Sequence, residues 1–342
     1  MLTGGKLYGE GAYGCVFARP ALKCVGEEAS SAEATKLMDK AEAAEELAVA
    51  ARIRQIPLWK NYYLVATAGC VPAKAQPRGT GIADCGLVED MEYKDMRILK
   101  MAFGGAPLST YKFNFNRHSF LSFCKNILEA GALMTLFGVV HRDLHMGNVL
   151  VDDEAVPRII DFNMAIDVSK KITADKLLHT SNTVRLLQIP PDYTLVNGVA
   201  LGKEPYEMIA DIMKNKKLLQ IISTTLGVSM TSMDAGLREF YEKSPSAQGG
   251  DIVGWFGRYW SKLDSWAIGS QLTYMLSSMM LWQGFMRGEF STYSDKLLGV
   301  LRGMCNVNPM RRSDCVVALA ELDPGNYIIE KWGRAWLAKL RG

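Results

Sequence analysis

The first 100 residues consist of short apolar segments separated by polar turns, a pattern typical of β-strands. Asp39–Arg54 differs, because its apolar residues recur at helical spacing and Asp39 is suited to cap a helix N-terminus. This region is therefore predicted to form a small sheet with a helix. The predicted strands are Lys6–Gly9, Cys15–Ala18, Tyr62–Val71 and Met96–Ala102.

Helical spacing dominates the rest of the chain. Phe120, Phe123 and Ile127 lie on one face of a predicted helix. Two short apolar segments, Val149–Val151 and Arg158–Ile160, interrupt this pattern and predict a hairpin. The sequence thus predicts an α+β protein with two lobes.

The predicted lobes differ in size and in kind. Residues 1–101 are expected to form the strand-rich N-terminal lobe, and residues 102–342 the larger helical lobe. The chain is 49% hydrophobic and 22% charged, which is enough apolar material for a packed core. Its net charge of +3 argues against nucleic acid or an anionic membrane as the main partner. Polar residues interrupt Leu272–Met286, the most apolar stretch, so no membrane span is expected.

The cysteines and the N-terminus bear on the compartment. Seven cysteines without a C-x-x-C pair, together with four histidines, predict neither a disulfide framework nor a structural zinc site. The opening MLTGGKLYGEG lacks the charged and apolar regions of a signal peptide. We therefore expect a soluble protein in a reducing compartment.

A glycine cluster in the first lobe is a candidate phosphate-binding segment. Gly9, Gly11 and Gly14 have G-x-G-x-x-G spacing, which fits either the helix-opening turn of a dinucleotide fold or a strand–turn–strand flap. The segment continues as Cys15–Ala18 and meets Pro20, which is typical of a strand. The flap is favoured, because glycine lets backbone N–H groups approach nucleotide phosphates.

A second cluster predicts a metal-dependent reaction. Asp143, Asn148 and Asp161 are separated by five and thirteen positions, so a loop, a short hairpin and a return could bring them together. Two of these side chains could supply oxygen ligands for Mg²⁺ next to nucleotide phosphates. The remaining aspartate could then accept a proton from an incoming hydroxyl.

These motifs together resemble those of eukaryotic-type protein kinases. Gly9–Val16 is similar to the family's G-x-G-x-x-G-x-V, His141–Asn148 to H-R-D-L-x-x-x-N, and Asp161–Asn163 to D-F-G. Later in the chain, Asp264–Gly269 resembles D-x-W-x-x-G, and Asn308–Ser313 resembles D-P-x-x-R-x. The motifs occur in the family's order and extend over nearly the whole chain.

The resemblance implies a role for each matched position. Asp143 would be the catalytic base, and Asn148 and Asp161 would hold metal ions, Mg²⁺ or Mn²⁺. Asp264 would steady the backbone of the catalytic loop. Arg312 would pair with an acidic residue, for which Asp192 is the best candidate. The flap residues expected to bind ATP are Gly9, Gly11, Gly14 and Val16.

Kinases of this family use a lysine in a V-A-I-K motif to position the phosphates, and this sequence has no such motif. Lys36 lies at a suitable distance from the glycines, and the helix beginning near Asp39 offers Glu45 or Glu46 as its partner. Glu46 is the prediction, and solvated helix charges are the alternative. For adenine, the resemblance implies a backbone hinge over Lys100–Ala102, with Leu99 as the gatekeeper.

Several features depart from the family pattern. Asn163 replaces the glycine of D-F-G, and asparagine tolerates left-handed backbone better than most residues. His145 replaces a lysine typical of Ser/Thr kinases. A mostly helical insertion is expected over about 194–259. Arg142 could pair with a phosphate on the segment that follows Asp161, with Thr180, Ser181 and Thr183 as candidate acceptors.

The sequence therefore predicts a Mg²⁺- and ATP-dependent kinase of Ser/Thr hydroxyls in protein substrates. A catalytically weak kinase-like scaffold and a small-molecule kinase of related fold are the alternatives. Gly14–Cys24 and the H-R-D-L-H-x-G-N segment resemble kinases of large cytoplasmic DNA viruses, the poxvirus-type virion kinases among them. That resemblance implies a location in host cytoplasm or a virion, with association with virions or viral factories.

Overall fold

The structure is a computed structural model that describes residues 6–11, 14–28, 33–76, 82–87, 91–179 and 183–341. The chain divides into two compact units. The first comprises Met1–Ala106 with Arg158–Asn163, and the second comprises Pro107–Pro157 with Met164–Gly342. The predicted α+β fold class is confirmed, with a small sheet in the first unit and a mainly helical second unit. The lobe boundary at residues 101 and 102 stays a prediction.

The first unit is built on a five-stranded antiparallel sheet with strand order β1-β2-β3-β5-β4. Its strands are β1 (Lys6–Gly11), β2 (Gly14–Ala18), β3 (Glu33–Asp39), β4 (Ala68–Cys70) and β5 (Met96–Ala102). Helix α1 (Lys40–Ile53) begins at Asp39, whose carboxylate accepts hydrogen bonds from two backbone N–H groups, as predicted for a cap.

The two faces of this sheet carry different side chains. On one face, Cys15, Leu37 and Ile98 lie opposite one another on three adjacent strands and are fully buried. The sequence neighbours of these three residues, Val16, Lys36 and Leu99, also lie opposite one another and form a second row across the same strands. Because side chains alternate between the faces of a strand, this second row lies on the opposite face. The sheet thus separates an apolar core from the face that carries Lys36.

Two disulfides join loops to the apolar face of the sheet, so the expectation of no disulfides is wrong. Cys15 is bonded to Cys85, and Cys24 to Cys70, with Cα–Cα distances of 6.0 and 5.9 Å. The partners are 70 and 46 positions apart, so their pairing follows from the sheet and not from local spacing. The predicted reducing compartment depended on that expectation and has no support from these cysteines.

The predicted strand Tyr62–Val71 is mostly wrong. Only Ala68–Cys70 pairs as a strand, and Trp59–Tyr62 forms a short helix, α2. The residues after α2 contact the part of this unit that comes from later in the chain. Leu64 N–H donates to Ile159 O at 2.9 Å, and the rings of Tyr63 and Phe162 meet edge-on with centroids 5.7 Å apart. Arg158–Asn163 is therefore packed into the first unit.

Five short strands lie between residues 106 and 167, and a turn separates two of them. Asp152–Val156 forms the turn that was predicted as the tip of a hairpin, and its flanking strands are observed within one residue of their predicted ends. The remaining strands are β6 (Ala106–Pro107), β7 (Val139–Val140), β8 (Val149–Val151), β9 (Pro157–Ile159) and β10 (Ile166–Asp167).

Helices make up most of the second unit. They are α3 (Phe120–Leu136), α4 (Ala174–Leu177), α5 (Pro191–Ala200), α6 (Pro205–Asn215), α7 (Lys217–Leu226), α8 (Met230–Lys243), α9 (Pro245–Gln248), α10 (Ile252–Tyr259), α11 (Leu263–Met279), α12 (Gln283–Arg287), α13 (Ser294–Met304), α14 (Cys315–Leu322) and α15 (Arg334–Arg341). Residues 194–259 are mainly helical, and their assignment as an insertion stays a prediction. None of the described helices combines the length and the apolar character needed to cross a bilayer.

Helix α11 is the centre of this unit. It packs against α3, α7 and α13, and it is buried on nearly every side. A helix surrounded in this way needs small residues where neighbours approach closely. Gly269 is such a position, since a Cβ there would lie 2.7 Å from Met304 Cβ.

A buried ion pair links the start of α5 to the loop before α14. Arg312 donates to the Asp192 carboxylate, and both side chains are fully buried. Trp255 Nε1 donates to the other carboxylate oxygen at 3.1 Å, and Arg312 Nε donates to Asn306 O at 2.8 Å. The pairing of Arg312 with Asp192 is the one expected from the sequence. Because the surrounding hydrogen bonds are also satisfied, the pair fixes α5 relative to the C-terminal helices.

We expect Asp192→Asn to lower the free energy of unfolding by about 3–5 kcal/mol, because it leaves the Arg312 guanidinium buried without a counter-charge. Urea denaturation followed by circular dichroism would measure the loss. Asp234→Asn is the matched control, because Asp234 pairs with Arg238 on an exposed helix surface. Equal stability of the two variants would contradict a structural role for the buried pair.

Candidate active site

The glycine segment lies at the edge of the first unit's sheet. Gly9 and Gly11 belong to β1 and Gly14 begins β2, while Ala12 and Tyr13 lie outside the described residues. The two strands predicted to flank the turn are therefore observed, and the turn itself falls outside the described residues. Gly14 has φ +152°, and a Cβ there would lie 2.6 Å from Leu37 O. Only glycine fits this position without a shift of β3.

Lys36 is held on the face of the sheet that α1 covers. Its Nζ lies 2.7 Å from Glu46 Oε2, and the two side chains are 11% and 14% exposed. The register of β3 places Lys36 between Val16 and Leu99. The sequence left Glu45 and Glu46 as candidates, and the structure brings Glu46 to the lysine. The roles of these residues in catalysis stay predictions.

The proposed adenine-binding segment is the end of β5. Leu99 is fully buried, and Lys100 and Ala102 continue the strand into a glycine pair. The side chain of Lys100 forms an ion pair with Glu27. The Lys100 carbonyl accepts the Thr67 N–H at 2.8 Å, and the role of this segment as a hinge stays a prediction.

A residue of α11, Asp264, fixes the backbone at the start of the proposed catalytic loop. Both carboxylate oxygens of Asp264 accept backbone N–H groups, from His141 at 2.6 Å and from Arg142 at 3.0 Å. Arg142 has φ +70°, an unfavourable value for a residue with a side chain. The two hydrogen bonds hold the strained turn that leads into Asp143.

The loop from Asp143 to Asn148 is ordered by its own polar side chains. Asn148 Nδ2 donates to Asp143 O at 2.9 Å, which leaves the Asn148 amide oxygen available as a ligand. His145 Nδ1 accepts the Gly147 N–H at 3.0 Å, so the imidazole presents Nε2 toward the Asp143 carboxylate, 3.8 Å away. This arrangement places a carboxylate and an amide oxygen on the same short turn.

Gln188 contacts the predicted base and was not identified from the sequence. Its Nε2 donates to Asp143 Oδ1 at 2.9 Å, and the side chain is 9% exposed. Glutamine occurs throughout proteins, and no local pattern connects position 188 with position 143. Gln188 is therefore a positioning residue that only the tertiary structure reveals.

Asp161 lies in the first unit, in the segment that packs beside Tyr63. It has φ +61°, so the backbone is left-handed at this aspartate and not at Asn163. The tolerance of asparagine for left-handed backbone therefore does not explain Asn163. Phe162, between them, is 4% exposed. Strain at a polar residue next to a buried aromatic ring is typical of functional segments.

The segment after Asp161 places two groups near the Arg142 guanidinium. Arg142 Nη2 lies 3.4 Å from Leu177 O and 3.4 Å from His179 Nε2. Burial, followed by the Arg142 charge, lowers the pKa of His179. Of the candidate phosphorylation sites, Thr183 is only 4% exposed, and Thr180 and Ser181 lie outside the described residues.

Lys216 anchors the segment that carries Gln188. Its Nζ donates to Leu186 O at 2.7 Å and lies 3.4 Å from Val184 O, and the residue is 2% exposed. Burial lowers the pKa of Lys216 from its ordinary 10.5 to about 7, although the nearby Asp192 acts in the opposite direction.

The residues present fit a divalent cation. Mg²⁺ prefers oxygen ligands such as carboxylate and amide oxygens. In the second unit, Asn148 uses its Nδ2 on Asp143 O and so keeps its amide oxygen for other partners; in the first unit, Asp161 supplies a carboxylate.

Comparison with known families agrees with this site. The family model for the protein kinase domain matches residues 3–185, more than half of the chain. This stretch includes the glycine segment, the Lys36–Glu46 pair, the catalytic loop and Asp161. The fold and the site define a phosphotransferase, and the chain belongs to the protein kinase domain family. Membership implies ATP, a divalent metal ion and protein substrates. No curated protein matches this chain.

We expect Gln188→Met to lower kcat by about 10- to 100-fold with KM for ATP little changed, because the carboxylate of Asp143 loses the donor that orients it. Steady-state kinetics would separate the two constants. Gln248→Met, the same change on an exposed helix end, is the control. A rise in KM for ATP with kcat unchanged would contradict the positioning role.

Lys216 should make stability depend on pH. Between pH 7 and 10.5 the unfolded chain holds a proton that the folded chain has released, so stability rises with pH across this window. Between pH 7 and 10.5, the free energy of unfolding of the wild type should rise by up to about 1.4 kcal/mol per pH unit relative to that of Lys216→Met. Urea denaturation at several pH values would measure the slope. Lys214→Met, at an exposed lysine of α6, should follow the wild type, and parallel curves for Lys216→Met would refute the interpretation.

Proposed function

We propose that this chain is an active protein kinase that transfers the γ-phosphate of ATP to Ser or Thr hydroxyls of proteins in a Mg²⁺-dependent reaction. The observation that carries the proposal is the 2.7 Å contact of Lys36 with Glu46. A scaffold that had lost catalysis would have no need to keep a lysine in a nearly buried ion pair on this face of the sheet. In an active kinase the pair orients the lysine toward the phosphates.

Each of the other residues has a role that its surroundings support. Asp143, oriented by Gln188, accepts the proton of the substrate hydroxyl. Asn148 and Asp161 would hold the metal ions, with Mn²⁺ as a possible substitute for Mg²⁺. The bound ion supplies neutralisation of charge on the transferred phosphoryl group. Gly9, Gly11, Gly14 and Val16 would cover the phosphates. The hinge over Lys100–Ala102 would contact adenine through its backbone, with Leu99 as the gatekeeper.

A protein substrate is favoured over a small molecule. Small-molecule kinases of related fold also contain H-x-D-L-H-x-x-N, so the catalytic loop alone does not distinguish the two classes. The distinguishing feature is the helical region after residue 185, in which Asp264 holds the catalytic loop and Asp192 pairs with Arg312. This region carries the two later motifs that resemble those of protein kinases, Asp264–Gly269 and Asn308–Ser313. The resemblance of the catalytic loop and of Gly14–Cys24 to viral kinases makes a viral protein of host cytoplasm or virions our proposal for its origin.

The proposal predicts that Asp143→Asn lowers kcat by about 1,000-fold or more, because the substrate hydroxyl loses its proton acceptor. Radiolabelled ATP, Mg²⁺ and mixed protein acceptors would measure turnover, and phosphoamino-acid analysis would identify the acceptor hydroxyl. Asp153→Asn, on the exposed hairpin turn, is the matched control. Near wild-type turnover of Asp143→Asn would refute the assignment of the base.

The same assay separates the alternatives. A scaffold would bind Mg·ATP in calorimetry and transfer no phosphate in the wild type. A small-molecule kinase would phosphorylate a sugar or an aminoglycoside and no protein. Phosphotyrosine as the product would refute the Ser/Thr specificity and leave the kinase proposal standing.

A further inference from the structure

A cleft in the second unit lies beside the segment that orients the proposed base. It has a volume of about 410 Å³ and is lined by Arg185, Leu187, Asn215 and Lys217. Two of the four residues carry a positive charge and none carries a negative charge. The cleft therefore has the composition of a site for an anion.

The backbone around the cleft is held in place from inside the protein. Lys216 donates to the carbonyl oxygens on both sides of Arg185, those of Val184 and Leu186. Trp266 Nε1 donates to Leu187 O at 3.1 Å. Because these donors are buried side chains, the segment that carries Arg185 is ordered before any ligand binds.

The two charged side chains have no counter-charge in this part of the chain. Among the described residues, no carboxylate forms an ion pair with Arg185 or Lys217, and both side chains are exposed. The nearest acidic residue along α6 is Asp211, whose carboxylate accepts a hydrogen bond from Asn215 Nδ2 at 2.5 Å. Exposed positive charges are common on open protein surfaces. Arg185 and Lys217 instead line a cleft whose backbone is already ordered, which favours a negatively charged ligand.

Along the chain, the cleft is close to the residue that contacts the proposed base. Gln188, which donates to Asp143 Oδ1, is three residues from Arg185. Three residues of chain separate the Cα atoms of Arg185 and Gln188 by at most about 10 Å, so an extended peptide of a few residues can reach from Asp143 to the cleft. A substrate whose hydroxyl meets Asp143 can thus place a neighbouring side chain in the cleft.

We propose that this cleft is a specificity site for an anionic side chain of the protein substrate, located within about five residues of the phosphoacceptor. The Arg185 guanidinium can bind a carboxylate or a phosphoryl group through two parallel hydrogen bonds, and Lys217 adds a second positive charge. Leu187 gives the aliphatic part of the side chain an apolar contact. The proposal rests on the proposed kinase function and names the substrates that it would select.

Aspartate, glutamate and phosphoserine share this chemistry, and kinetics on a peptide series distinguishes them. Each peptide has one serine acceptor in an alanine and glycine background, with Ala, Glu, phosphoserine or Lys placed at one neighbouring position at a time. For the wild type we expect kcat/KM to rise about tenfold over alanine when Glu or phosphoserine occupies one particular position, mainly through KM. The larger effect of the two identifies the group that the cleft prefers. The gain should shrink in higher salt, because the charges are exposed.

Variants of the cleft test where this preference originates. Arg185→Ala with Lys217→Ala should reduce the ratio of kcat/KM for the acidic and alanine peptides to about one. Arg185→Glu with Lys217→Glu should favour the lysine peptide instead. Lys214→Glu, the same charge change on an exposed residue of α6 outside the cleft, should keep the wild-type ratio. An unchanged ratio in both double variants would overturn the proposal.

Direct binding separates this inference from the kinase proposal. Fluorescence anisotropy with a labelled glutamate peptide requires no turnover, so it applies even if no phosphate is transferred. Tighter binding of the glutamate peptide than of the lysine peptide, lost in the double alanine variant, would support the cleft independently. Serine phosphorylation without any acidic preference would refute the cleft and leave the kinase proposal intact.

Discussion

The contact on which the proposed catalytic loop depends is the one between Asp264 and the backbone of His141 and Arg142. Arg142 is strained, and an isolated loop would relax to a more favourable backbone conformation. The Asp264 carboxylate prevents this by accepting two N–H groups at once from within the most buried helix of the unit. Burial raises the pKa of Asp264, and the hydrogen bonds act in the opposite direction. Core packing is thereby connected directly to the position of Asp143.

The segment over residues 183–188 is ordered in a related way. Buried donors, Lys216 and Trp266, bind its carbonyl oxygens, and Gln188 extends from it to Asp143. Arg185, in the same segment, lines the cleft described above. Orientation of the base and selection of the substrate would therefore share one support. A substitution in that support should affect both, whereas a substitution of Arg185 alone should affect selection.

Predictions from the sequence succeeded where the signal was local or carried by a motif. The cap at Asp39, strand Met96–Ala102 and the helical character of residues 194–259 are local patterns, and each is observed. The disulfides were missed because the partners of Cys15 and Cys24 lie far away along the chain. The helix at Trp59–Tyr62 was missed because four residues make only about one turn, which is too short to show a helical period. Asp192 was identified as the partner of Arg312 through the family resemblance, since spacing alone could not connect them.

The sequence by itself determined the α+β class, the order of the kinase motifs and the residue types available for phosphate transfer, because these are properties of composition and local spacing. The tertiary structure decided between Glu45 and Glu46, since the orientation of α1 against the sheet selects which glutamate meets Lys36. It also decided that Gln188 meets Asp143 and that Arg185 and Lys217 line one cleft. Such contacts join residues many positions apart, and they exist only when the core packs in one arrangement.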